Sequence, residues 1–171
     1  MYLKSLEING FKSFAKKAHL DFGVPIVSVV GPNGSGKSNV SEAVRFVLGE
    51  QSMKSMRGKR GEDLIWNGSK AQPKMNRASV KLTFDNSDNK KKLFNIDFEE
   101  VTLERVVHRD GINEYLINGS TVRLRDIIEL LSQANIGASG HHIISQGEAD
   151  RILSAGSKER REMIEDALGL K

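Results

Sequence analysis

The sequence predicts an α/β fold, and three observations carry that prediction: short segments of alternating apolar residues, one nearly continuous apolar run that ends in glycine, and helical apolar stripes on both sides of the alternating region. Tyr2 to Ile8 and the pair Leu20 and Phe22 alternate with period two around Asn9-Gly10, which predicts two half-buried antiparallel strands. Ile26, Val27, Val29 and Val30 are interrupted only by Ser28, the pattern of a strand covered on both faces. After the glycines that follow, Val40, Val44, Val47 and Leu48 place an apolar stripe on a helix closing near Gly49.

Gln51 to Asn76 is rich in Lys, Arg, Gly and Ser and reads as irregular surface with a short ordered piece at Leu64-Ile65-Trp66. Alternation resumes at Val80, Leu82 and Phe84 and again at Phe94, Ile96 and Phe98, predicting a hairpin across the polar loop Asp85 to Lys92. Val101 to His108 and Glu114 to Ile117 flank Asp110-Gly111, and Asn118-Gly119 follows, so two tight turns with left-handed residues complete a strand meander. Leu124, Ile127, Ile128 and Leu131 form a second helical stripe, Ile143-Ile144 reads as a short buried strand, and a last helix is expected from about Ser157.

Composition narrows the possibilities. A chain of 171 residues can bury a core of its own, and the absence of cysteine excludes disulfide frameworks, thiol catalysis and cysteine-ligated zinc. No apolar run approaches the roughly 20 residues of a membrane-spanning helix, and Met1-Tyr2-Leu3-Lys4 lacks a signal-peptide core, so the expectation is a cytoplasmic protein with no membrane contact. The net charge of +4 permits a polyanionic partner without establishing one.

Gly31-Pro32-Asn33-Gly34-Ser35-Gly36-Lys37-Ser38 matches the phosphate-loop pattern G-x-x-x-x-G-K-[ST], set between the predicted strand and helix. Backbone N–H groups at a helix N-terminus suit a phosphate, glycines allow close approach, Lys37 would reach the β- and γ-phosphates, and the Ser38 hydroxyl would take one Mg²⁺ position. Hydrolysis also needs a carboxylate on the metal and a group that handles water. A strand of four apolar residues ending in Asp would supply it, and none exists: Asp63 and Asp126 precede their apolar neighbours, and Asp97 follows Phe94-Asn95-Ile96. The loop is therefore one part of a catalytic apparatus.

The opening Met1 to Ile8, then Gly10-Phe11-Lys12-Ser13-Phe14, Gly31 to Asn39, Val47-Leu48-Gly49-Glu50-Gln51-Ser52, Lys54 to Gly58, Asn67-Gly68-Ser69 and Ile143-Ile144-Ser145-Gln146-Gly147 closely resemble, in order, the N-terminal head segment of bacterial structural maintenance of chromosomes (SMC) proteins. The resemblance implies the N-terminal lobe of a P-loop ABC-type ATPase head, occupying residues 1–171, with a coiled-coil arm starting at about 157–171. It implies a head assembled with a C-terminal lobe of the same polypeptide, which carries the Walker B Asp, the catalytic Glu and the signature motif, and two heads closing on two ATP molecules. Isolated, the chain is expected to be inactive. By the same resemblance Asn33, Gly34, Ser35, Gly36, Lys37, Ser38 and Asn39 cradle ATP, Lys12 and Ser13 lie beside it, Gln146 is the Q-loop ligand of Mg²⁺, and Arg57 links double-stranded DNA to ATP turnover. A second head and a kleisin-type accessory subunit are the implied partners.

Taken alone, Gln146 reads equally as a turn side chain, and Arg57, beside Lys54, Lys59 and Arg60, reads as a solvated basic loop or as a phosphate contact. Alternatives on the whole chain are a related DNA-repair ABC ATPase head, a self-contained P-loop kinase or NTPase, and a module that uses nucleotide only for stability.

Overall fold

The computed structural model describes residues 3–24, 26–88, 92–134, 136 and 153–167. Six strands, β1 (Leu3–Asn9), β2 (Ala18–Asp21), β3 (Arg77–Asp85), β4 (Glu100–His108), β5 (Asn113–Ile117) and β6 (Ser120–Val122), form one antiparallel sheet in the order β2-β1-β3-β4-β5-β6. Three α-helices, α1 (Lys37–Val47), α2 (Leu124–Gln133) and α3 (Ser157–Ala167), and a short 3-10 helix at Gly61–Leu64 lie among the described residues.

Period-two sequence sets the sheet's two faces. Leu6, Ile8, Val80, Leu82, Val101 and Leu103 are buried on one side, where Leu6 pairs with Leu82 and Leu82 with Leu103. Against this side lie Ala43, Phe46 and Val47 of α1. The intervening positions carry charge instead: Glu7 is opposite His19 on β2 and Lys81 on β3, and Lys81 is opposite Glu104 on β4, a cross-strand ladder of mostly opposite charges. The β5–β6 turn has Asn118 at φ 48° and Gly119 at φ 78°, the paired left-handed residues expected of a two-residue hairpin.

Three expectations need correction. Ile26 to Val30 forms no strand, and Ile26 and Val30 are 87% and 86% exposed. A strand requires a neighbour to pair with, and among the described residues no strand is ordered beside this segment. Phe94 to Phe98 is likewise not a strand, because β3 pairs directly with β4. Buried Asn86 takes over the missing pairing: its Nδ2 donates to the carbonyls of Phe94, Ile96 and Phe98, and its Oδ1 accepts the Phe94 N–H. Alternation there reflects packing of Phe94 on Phe84, with ring centroids 5.3 Å apart. The helical stripes are also rotated: α1 buries Glu42, Ala43, Phe46 and Val47, and α2 buries Leu130 in place of Ile128.

The segment from Gln51 to Asn76 is irregular but far from superficial. Met56, Leu64 and Ile65 are buried, and Trp66 packs with its indole N–H on the Pro73 carbonyl at 3.2 Å. The ordered piece 64–66 runs against the turn after β1, through a Phe11–Ile65 bridge, Lys12 N–H to the Leu64 carbonyl (2.8 Å) and Trp66 N–H to the Gly10 carbonyl (2.7 Å). Phe11 then stacks obliquely on Phe46 of α1. These contacts hold the turn after β1 against α1, and a hydrogen bond from Asn39 Nδ2 to Ser13 Oγ brings that turn to the start of the helix.

Candidate functional site

The N-terminus of α1 is open. Gly36 precedes it at φ 93°, no side chain caps it, and its first turn holds no acid. Its first turn therefore keeps the positive end of the helix dipole without a side-chain cap. Gly36 is favoured by its left-handed φ, and a Cβ there would fall 2.7 Å from Ser13 Oγ and displace that hydroxyl. A cavity of about 330 Å³ opens at this end, lined by Asn33, Gly34, Gly36, Lys37, Ser38, Asn39 and Arg57. Its lining contains two cations and no carboxylate, so the arrangement suits an anion.

Lys37 crosses back over the loop, donating to the carbonyls of Gly31 (2.6 Å) and Pro32 (2.7 Å). Asn39 joins the two sides of the cavity: its Nδ2 donates to Ser13 Oγ at 2.8 Å, and its Oδ1 accepts from Arg57 Nη2 at 3.2 Å. Arg57 Nε also donates to Glu42, and the Lys12 ammonium turns inward to Glu42 and the Met56 carbonyl. The structure thus brings Ser13, Arg57 and the whole of Asn33–Asn39 together, and sets Lys12 behind them. Gln146 lies outside the described residues.

The other end of α1 is held by Arg105 of β4. Its guanidinium is buried, donates to the carbonyls of Phe46 (3.0 Å) and Glu50 (2.7 Å), and sits 4.2 Å over the Phe46 ring. Burial lowers the Arg105 pKa, while the helix carbonyls and aromatic faces supply the stabilisation that an ion pair would otherwise give. With one end fixed to the sheet, the helix presents its other end at a set height.

The aspartates weighed as metal ligands have structural tasks. Asp63 accepts the backbone N–H groups of Arg60 (2.9 Å) and Lys59 (2.7 Å), which hold its carboxyl below the usual range. Asp126 accepts the Arg123 N–H at the start of α2, and Asp97 pairs with Lys92. No cluster of three acidic, histidine or cysteine groups able to hold a metal occurs among the described residues.

Sequence reasoning missed Glu42. It lies on the buried face of α1, to one side of the stripe expected from Val40, Val44, Val47 and Leu48, so no local pattern singled it out.

A phosphate-loop motif on an uncapped helix, carried by a mixed α/β lobe with an antiparallel sheet, defines a P-loop protein. Residues 2–159 match the RecF/RecN/SMC N terminal domain, and the chain belongs to that family as the N-terminal head segment of an SMC protein. It is 47% identical over 170 residues to the Chromosome partition protein Smc of Bacillus subtilis (strain 168), matching 99% of this chain and 14% of that protein. Among solved structures, an SMC ATPase described through ATP-driven dimerization and DNA-stimulated activation superposes with a TM-score of 0.89 at 38% identity, covering 97% of this chain and 99% of the other. An Smc head with an extended coiled coil, bound to the C-terminal domain of ScpA and derived from Pyrococcus furiosus, gives 0.88 at 40% identity, covering 96% and 41%. The chain thus spans about one seventh of the length of such curated relatives.

Proposed function

We propose that this chain is the ATP-binding half of a chromosome-partition ATPase head, which hydrolyses ATP only together with a C-terminal lobe and a second head. The observation that carries the reading is the anion-suited cavity at the open end of α1, lined by the phosphate-loop residues and Arg57. Asn33 to Asn39 hold the phosphates through backbone N–H groups and the Lys37 ammonium, with Ser13 bracing Asn39 and Lys12 bracing the loop from behind. Bound Mg²⁺ would supply charge neutralisation between phosphate oxygens. Ser38 would offer it one hard oxygen, and Gln146 is assigned a second.

The exposed apolar side chains of Ile26, Val27, Val29 and Val30 support assembly with a C-terminal lobe: large exposed apolar surface marks an interaction site, and a strand there would complete its pairing against a partner. α3 is strongly polar and largely exposed over Ser157 to Glu162, which suits the start of a coiled-coil arm at about 157–171. The relatives' chromosome-partition role favours this reading over a DNA-repair head. A second head, a kleisin-type subunit and double-stranded DNA are the partners, with Arg57 linking DNA to turnover in a cytoplasmic, nucleoid-associated complex. No helix among the described residues is long and apolar enough to cross a membrane.

Titration of the chain with Mg-ATP tests the reading: wild type binds with measurable heat, and Lys37→Ala binds roughly ten- to a hundredfold more weakly. Equal binding by the two proteins would remove the phosphate loop from the account.

A further inference from the structure

Glu42 has no part in the nucleotide contacts above, yet its side chain is only 7% exposed beside the loop. Burying a carboxylate is unfavourable by several kcal/mol unless cations meet it. Its oxygens are shared between two chain segments: Oε2 takes the Lys12 ammonium from the turn after β1, and Oε1 takes Arg57 Nε from the segment after α1. The backbone of both cations is unusual. Lys12 (φ 49°) and Arg57 (φ 50°) are left-handed, and the one other such non-glycine residue described, Asn118, sits in a hairpin turn where asparagine is ordinary. Long side chains hold that conformation only where surroundings over-determine it. Here the Lys12 N–H bonds to Leu64, the Arg57 N–H bonds to Lys54, and the common carboxylate fixes both side chains.

We infer that Glu42 is a positioning residue for phosphate binding: it takes the Nε edge of Arg57, so that the guanidinium's outer edge, bonded to Asn39, faces the cavity, and it ties the Lys12 turn to the same helix. The inference rests on the nucleotide reading above. Positioning and mere charge balance predict opposite signs. Removing the negative charge makes the cavity more positive, which by electrostatics alone tightens anion binding; losing the orientation of Arg57 weakens it.

Glu42→Gln, Arg57→Ala, Arg57→Lys and the Glu42→Gln/Arg57→Ala double variant of the full chain are titrated with Mg-ATP. In parallel, the exchange rate of the Arg57 Nε–H is followed by ¹⁵N NMR, its signal assigned by its loss in Arg57→Ala. Glu42→Gln weakens binding roughly five- to tenfold, adds nothing to the loss in Arg57→Ala, and speeds Nε–H exchange about tenfold or more. Arg57→Lys, an exposed change that keeps charge but not the fork, loses as much affinity as Arg57→Ala and keeps the inference testable should Glu42→Gln not fold. Unchanged or tighter binding by folded Glu42→Gln, or wild-type binding by Arg57→Lys, overturns the inference while wild-type binding leaves the nucleotide reading standing. A wild type that does not bind Mg-ATP removes that reading, and the Nε–H comparison still decides whether Glu42 orients Arg57.

Discussion

The sheet and the segment entering the glycine-rich loop are both rich in valine, leucine and isoleucine, and they meet different environments. In β3 the alternate residues Val80 and Leu82 are fully buried between paired neighbours, with α1 across the face. In 24–30 the valines and isoleucine stand 44–87% exposed. Apolar content alone does not make a strand; backbone pairing and a second layer do. One region carries its partners within the chain, and the other leaves its apolar side chains exposed beside the glycine-rich loop.

Substitutions should separate the two regions. Leu82→Ala, at a fully buried position, destabilises the chain by about 2–5 kcal/mol in denaturant unfolding, since transfer and cavity terms add. Asn86→Ala leaves three carbonyls and an N–H without their partner and lowers stability by about 2 kcal/mol. Lys37→Ala weakens Mg-ATP by roughly ten- to a hundredfold, the magnitude of charge-assisted contacts of about 1.5–3 kcal/mol, with little change in melting temperature. Val30→Ser, by contrast, changes the stability of the isolated chain by no more than about 0.5 kcal/mol. It should nonetheless block association with the complementary lobe in a pull-down; a large loss of stability would mean that the segment is already buried in solution.

The smallest effect belongs to the charged face. Lys17, then Lys81, hold the Glu7 carboxyl below its ordinary value of 4.5 against the opposing effect of burial. A depressed carboxylate stabilises the fold above its unfolded pKa, and that contribution is lost as pH falls through the folded value. Glu7→Gln therefore flattens the acid limb of the stability curve below about pH 4.5 and leaves the region above it nearly parallel to wild type.

What was legible in the sequence follows the same division. Gly31 to Ser38, the Asn118-Gly119 turn and the alternation of β3 and β4 are local patterns, each fixed by the steric needs of a few successive residues. The exposure of Ile26 to Val30 was not legible, because burial of a strand depends on elements distant in the chain or outside it. Phe94 to Phe98 misled for another reason: the alternation is real, but one side chain, Asn86, supplies the hydrogen bonds of a strand partner. At the site, the cradle could be read from the motif, whereas Glu42 could not, since its two cations lie 30 and 15 residues away.

Phosphate release from Mg-ATP, measured for the chain alone and after addition of a C-terminal lobe, tests the central claim most directly. The account predicts binding without turnover by the chain alone and turnover once the lobe permits two heads to meet. Brisk hydrolysis by the isolated chain would contradict it.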